Sequence, residues 1–376
     1  MSFKLCYRTL RNVVFRNRPF FAHLALTHRC NLRCRFCQIP TERVEEHDTA
    51  TMKRIIDRLD RMGIAHLSVS GGGEPLLRDD FAAILDYAAG KGLYVKVTSN
   101  GTMSQAKYAE LLATRIKEVG ISLDGVRGDD LPFSHVGPKL LANLQFLNDR
   151  LPPRMKLTIN VTVSRANEDR VEEIVDYCTR HYPRARLWLN PVVVGRGKLR
   201  VQSELKVKPD FLSRVRSPIL LSARFYRKAC EEYYQSEKYD WGCLAGELFF
   251  DIKPNGDFWI CQDFPAKTPL NILDPDFEEE YRRSDFSHRR DCSGCTYSCH
   301  LLTQKALEPR NWPDMAVLWW TQATRPDEPC RRTAERHGWL AGLVHFAAAR
   351  SLSPERRVDV RLSDIAGGAE GAVDRR

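Results

Sequence analysis

Residues 30–37 read CNLRCRFC, with Cys30, Cys34 and Cys37 in a Cys-x3-Cys-x2-Cys spacing inside a polar, basic stretch. Spacings this short let three thiolates converge on one site from a single loop. Thiolates are soft ligands that suit iron–sulfur clusters or zinc. A structural zinc site closes its shell with a fourth ligand, so a group of three is informative. A cube of four irons held by three cysteines leaves one iron open to a substrate or cofactor.

Downstream, Gly71-Gly72-Gly73-Glu74-Pro75 follows the apolar run Leu67-Ser68-Val69-Ser70. In this order and separation the two stretches resemble the radical S-adenosylmethionine (radical SAM) superfamily, with Phe36 as the aromatic before the third cysteine. The resemblance implies that Cys30, Cys34 and Cys37 carry a [4Fe–4S] cluster whose open iron binds the amino and carboxylate groups of S-adenosylmethionine. It further implies that Gly72, Gly73 and Glu74 receive the amino end of the methionine moiety. Glycines allow close backbone approach, and a carboxylate pairs with an ammonium. Taken alone, the glycine run reads equally as a bare strand-to-helix turn.

From Phe21 the chain alternates between two periodicities. Apolar strand-like runs at 21–27, 66–70, 93–98, 118–123, 157–163 and 186–194 are separated by helical patterns at 51–62, 81–89, 104–114, 139–147 and 171–181. Such alternation implies parallel strands with helical crossovers. The resemblance selects the architecture, an α/β fold built as a partial (β/α)6 TIM-like barrel open on one side, with its chemistry at the carboxyl ends of the strands. Ser99, Asn100, Ser122 and Asp124 stand at such ends, where the family contacts the ribose and methionine. Turn and cap roles are the alternative for each. Arg165, after the fifth strand, is the candidate partner of the methionine carboxylate.

A second cysteine group comprises Cys243, Cys261, Cys292, Cys295 and Cys299. Two alternating runs flank Pro254-Asn255-Gly256-Asp257, which signals a hairpin with a cysteine before its first strand and another at the end of its second. The group resembles the SPASM and twitch extensions of radical SAM enzymes, which hold auxiliary iron–sulfur clusters. Two auxiliary clusters would need about eight thiolates, more than this stretch supplies. One auxiliary [4Fe–4S] cluster on Cys243, Cys261, Cys292 and Cys295 is the simpler expectation, with Cys299 in reserve. A zinc ribbon is the structural rival. Cys6, Cys178, Cys230 and Cys330 read as ordinary thiols.

The chain has 376 residues, 43% of them hydrophobic, 12 cysteines and a net charge of +10. No apolar run approaches the roughly 20 residues of a membrane helix, and no signal-peptide core precedes a cleavage site. The cysteines are therefore expected as cytoplasmic thiols. Basic residues are spread along the whole chain, which speaks against nucleic-acid binding. The expected organisation is a basic amphipathic leader over 1–20, the barrel over 21–235, a small auxiliary-cluster domain over 236–330, and a helix with a frayed tail over 331–376. The leader suits either a membrane surface or, more often, the end of a barrel.

The resemblance implies an enzyme that takes an electron from a flavodoxin or ferredoxin and cleaves S-adenosylmethionine to a 5′-deoxyadenosyl radical. That radical removes hydrogen from an unactivated carbon. An auxiliary cluster suits a net oxidation, and the substrate expected here is a small alcohol, sugar or lipid. Peptide cross-linking is the alternative, set second because peptide-modifying relatives often carry an amino-terminal recognition domain. A non-catalytic iron–sulfur electron carrier and a zinc-binding protein are the readings from other classes.

Overall fold

The computed structural model describes residues 3–14, 19–34, 37–126, 137–193, 206–208, 210–215, 217, 220–221, 223–236, 242–287, 289, 292, 294–324 and 334. Phe36, Cys330, the side chain of Cys6 and the expected carboxyl-terminal helix beyond Ala334 lie outside them.

The helix α1 (Phe3–Val14) precedes the barrel units. These run β1 (Phe21–Leu24), α2 (Thr49–Met62), β2 (His66–Val69), α3 (Phe81–Gly90), β3 (Tyr94–Ser99), α4 (Gln105–Ala113) and β4 (Glu118–Ser122). They continue with α5 (Pro138–Arg150), β5 (Lys156–Val163), α6 (Val171–His181) and β6 (Arg186–Pro191). The helix start signals act as their chemistry requires. Asp48 caps α2 by accepting from Thr51 N, and Ser104 caps α4 by accepting from Lys107 N. Gly63 closes α2 at φ 97°, a left-handed value suited to glycine. Asp80 precedes α3 without a side-chain cap, because its carboxylate pairs with Arg78 at 2.8 Å and accepts from Thr49 at 2.6 Å.

Strands β1 to β6 pair in parallel, in sequence order. Alternation splits each strand between two faces. Val95, Val97, Leu157, Ile159, Val161, Leu187 and Leu189 join the apolar core. The opposite, inner face carries Ser68, Lys96, Thr98, Asn160, Trp188 and Asn190, so the barrel interior is polar. Its floor is closed by Glu118, which accepts from Tyr94 Oη at 2.8 Å and Thr158 Oγ1 at 2.7 Å and pairs with Lys96 at 3.1 Å.

After β6 come α7 (Phe211–Arg214) and α8 (Arg224–Ser236). Between them Leu220 bridges Leu187 at the sheet edge. The hairpin forms as β7 (Phe249–Ile252) and β8 (Phe258–Cys261), antiparallel, followed by β9 (Phe264–Pro265). Gly256 turns it at φ 85°. The hairpin is no separate sheet. β7 pairs in parallel with β1, giving the order β6-β5-β4-β3-β2-β1-β7-β8-β9. Helices α9 (Phe277–Arg283), α10 (Ser298–Ala306) and α11 (Trp312–Thr324) complete the described chain. Trp312 is 46% exposed, whereas Trp320 is buried.

The leader's basic face is turned to the barrel. Lys4 Nζ meets Asp60 at 2.7 Å and the Lys91 carbonyl at 2.9 Å. Arg8 is buried, donating to the Ile64 and Asp60 carbonyls at 2.5 and 2.6 Å. Tyr7 and Leu10 face outward. Lys4 and Arg8, two of the cations that would meet an anionic membrane surface, are thus engaged with the protein itself.

Candidate active site

The cysteine loop leaves β1 at its carboxyl end and is held from both sides. Thr27 Oγ1 donates to Glu46, which also receives Arg29 Nη2 at 2.9 Å. Asn31 Nδ2 reaches Thr102 Oγ1 at 2.8 Å, and Asn100 Nδ2 reaches Asn31 Oδ1 at 2.8 Å. The turn after β3 is thereby locked to the loop. Leu32 N–H points at Cys30 Sγ at 3.4 Å, and Asn100 Nδ2 lies 3.8 Å from the same sulfur. N–H groups aimed at sulfur stabilise a ligating thiolate.

Burial, then the Asp124 carboxylate, then Cys37 and Cys30, push the Cys34 thiol up to about 12. The three sulfurs and Asp124 are thus within electrostatic reach of one another. A Cys34 thiol held protonated by burial and its neighbours is what a bare metal-binding loop shows, since the ligand state requires a cation to replace the proton. The donor set fits an iron–sulfur cluster with one open position.

The glycine run is fixed by backbone contact. Gly73 N–H donates to the Thr27 carbonyl at 2.7 Å and Glu74 N–H to the Arg29 carbonyl at 2.8 Å. A Cβ on Gly73 would overlap the Arg29 carbonyl, and one on Gly72 would stand 2.5 Å from the Thr27 carbonyl. Both glycines are required by the approach of two backbones next to Cys30, whatever ligand lies beyond. Gly71, at φ 75°, faces the Gln262 side chain from the β8–β9 turn.

Glu74 is 1% exposed. One oxygen accepts from Asn100 N at 2.7 Å and the other from Leu76 N at 3.2 Å. Burial pushes its carboxyl up to about 7, against these hydrogen bonds and one from Ser99. The carboxylate pins the glycine turn to β3 in this geometry. Ser99 is also buried, bonded to Tyr108 Oη at 2.9 Å. Asp124 accepts from Thr162 N at 2.7 Å, and its carbonyl receives Asn167 Nδ2 at 3.0 Å. Ser122 is half-buried on the inner face, and Arg165 is exposed just past β5. Asn31, Thr102 and Asn167 were missed in the sequence. They carry no motif, and only their places at strand ends mark them.

Cys243, Cys261, Cys292 and Cys295 form a second assembly. Burial raises Cys295 well above an ordinary thiol, and so do the charges of Cys243, Cys261 and Cys292. Cys261 is raised by burial and then by Asp263, Asp251 and Cys243. Cys299, on α10, lies 3.3 Å from His23 Nε2. Four thiols gathered around Cys295 match the ligand count of one iron–sulfur cluster.

The radical SAM superfamily model matches residues 24–178. A PqqA peptide cyclase from Streptomyces rochei is 31% identical over 370 residues, covering 92% of this chain and 93% of that one. The Fe-coproporphyrin III synthase of Methanosarcina barkeri is 28% identical over 187 residues, 49% of this chain and 47% of that one, so here the chain spans about half the relative's length. Among solved structures, Streptococcus suis SuiB bound to precursor peptide SuiA superposes with a TM-score of 0.58 at 17% identity, covering 75% of this chain and 69% of that one. That likeness carries the fold. With the three-cysteine loop, the glycine turn and a relative matched along nearly its whole length, the chain belongs to the radical SAM superfamily, whose members use a [4Fe–4S] cluster and S-adenosylmethionine.

Proposed function

We propose that this radical SAM enzyme modifies a peptide, forming a cross-link within it by net oxidation. The observation that carries the reading is the match to a PqqA peptide cyclase over 93% of that protein's length. Similarity that covers half a chain leaves the substrate open. Similarity that runs through the cysteine-rich end extends to the parts that distinguish one such enzyme from another. This reading is preferred to the small alcohol, sugar or lipid expected from the sequence, because the match to the PqqA peptide cyclase favours a peptide.

When bound, the cluster and S-adenosylmethionine supply a carbon radical that abstracts hydrogen, a step the cofactors carry and the protein only positions. Cys30, Cys34 and Cys37 would hold the cluster, and the glycine turn with Asn100 would bound the cofactor's methionine end. A peptide side chain entering the inner face would meet the hydroxyl and amide groups of Thr98 and Asn160. These suit an amide-rich substrate that must be oriented by hydrogen bonds. Cys243, Cys261, Cys292 and Cys295 would hold an auxiliary cluster as the outlet for the second electron, and the reductant would be a flavodoxin or ferredoxin.

The test uses short peptides encoded beside this chain's gene, incubated with the reconstituted enzyme, S-adenosylmethionine and dithionite. A cross-linked product lacking two hydrogens, formed with 5′-deoxyadenosine, is expected. If no such peptide is altered while a tetrapyrrole or a small alcohol is consumed with 5′-deoxyadenosine, the peptide reading fails and the superfamily assignment stands.

A further inference from the structure

On the inner face of β1, away from the three-cysteine loop, His23 is 3% exposed and faces α10. Its Nε2 lies 3.3 Å from Cys299 Sγ. His300, the next residue of α10, is 1% exposed and stacks on Phe249 of β7 at 4.3 Å between ring centroids. Asp251 of β7 stands opposite His23 in the β1–β7 register and is also buried.

The ligand atoms of His23, Cys299 and His300 all lie within 4.8 Å of one another, a grouping found once among the described residues. His300 Nε2 is buried with no hydrogen-bond partner. Its nearest acidic oxygen is Asp251 Oδ1 at 4.0 Å, too far for a hydrogen bond. The edge of a tetrahedral zinc site with bonds of about 2.0–2.3 Å is roughly 3.3–3.7 Å long. The His23–Cys299 separation of 3.3 Å matches that edge, whereas the 4.0 Å from His300 to Asp251, which stands outside the three-residue group, exceeds it, so Asp251 completes the shell by moving inward.

We propose that His23, Cys299, His300 and Asp251 bind a single zinc ion that fastens α10 to the barrel strand β1 and its neighbour β7. The donor types are those of zinc, borderline in softness and four in number. The charges also balance. A thiolate and a carboxylate neutralise a divalent ion, so the buried site has no net charge, the condition under which burial is tolerable. Binding exchanges the Cys299 thiol proton for the metal, and that proton leaves to solvent.

The outer partners are in place as well. His23 Nδ1 lies 2.9 Å from Ser70 Oγ, which is 2.8 Å from Ser68 Oγ. With Nδ1–H donating to Ser70, the Nε2 lone pair is left for the metal, the usual arrangement of a ligating histidine.

The test is metal analysis of the full-length protein, purified without oxygen from zinc-supplemented medium with its iron–sulfur clusters intact. About one zinc per chain is expected, with a zinc X-ray absorption shell of one sulfur at about 2.3 Å and three nitrogen or oxygen atoms at about 2.0–2.1 Å. Cys299→Ala should lose zinc by at least about tenfold with iron content unchanged. If that variant does not fold, the wild-type spectrum decides alone. Absence of zinc, a shell with two or more sulfurs, or full zinc occupancy in Cys299→Ala overturns the proposal. So does loss of iron with zinc retained, which would return Cys299 to the auxiliary cluster.

Discussion

Glu74 illustrates how one carboxylate can be claimed by two jobs. Its two oxygens hold the N–H groups of Leu76 and Asn100. Removing it strands two buried donors, each costing about 1–3 kcal/mol. Glu74→Ala should therefore lower the melting temperature markedly. Glu74→Gln keeps one acceptor oxygen and removes the charge. If the carboxylate also meets the ammonium of S-adenosylmethionine, Glu74→Gln should weaken binding about ten- to a hundredfold by calorimetry. An unchanged dissociation constant with a lowered melting temperature would confine Glu74 to the turn.

Glu118 gives the pH dependence at the same scale. Burial alone would raise its carboxyl, but Lys96 and the hydrogen bonds of Thr158, Tyr94 and Lys96 hold it down at about 2 instead of 4.5. A depressed carboxylate stabilises the fold above its unfolded value, and that stability is lost as pH falls toward the folded value. The contribution is on the order of 3 kcal/mol. Urea unfolding between about pH 6 and pH 3 should show this loss in the wild type and a flatter profile in Glu118→Gln. Equal profiles would contradict the role given to the floor of the barrel.

Among the elements, α1 makes the clearest forecast. Arg8→Ala removes a buried guanidinium from the Ile64 and Asp60 carbonyls and should cost about 1–3 kcal/mol in stability. Flotation on anionic vesicles should not depend on Lys4 or Arg8, because the barrel occupies both. Binding abolished by Lys4→Ala would instead make the leader a membrane element.

The elements were legible where local chemistry specifies them. Strand runs such as Leu157–Val163 end in polar turns, Asp48 and Ser104 start helices, and Pro254-Asn255-Gly256-Asp257 makes its hairpin. What stayed hidden was pairing over distance. Nothing near Phe249 says that β7 will lie beside β1, and nothing near His23 says that Cys299, 276 residues away, will face it. Asn31 and Asn100 meet for the same reason, through a barrel whose closure brings loop to loop. The cysteines were the exception, since spacing alone marks them as candidate ligands. The polar inner face was in principle readable from Tyr94-Lys96-Thr98, where one side of a buried strand is polar and Val95 and Val97 fill the other.

At the scale of the whole molecule, one sheet carries two groups of cysteines. The three-cysteine loop rises from β1. The four-cysteine group belongs to the hairpin that extends the sheet past β1 and to the segment before α10. Their ligands lie in separate segments, so one can be removed without the other. The most direct measurement is iron, sulfide and 5′-deoxyadenosine analysis of the reconstituted wild type beside a variant with Cys30, Cys34 and Cys37 all changed to alanine. About eight irons in the wild type, about four in the variant and no 5′-deoxyadenosine from the variant are predicted, at four irons per cluster. A variant that still makes 5′-deoxyadenosine with dithionite would contradict the assignment of the loop. A variant left with no iron would mean that Cys243, Cys261, Cys292 and Cys295 hold something other than an iron–sulfur cluster.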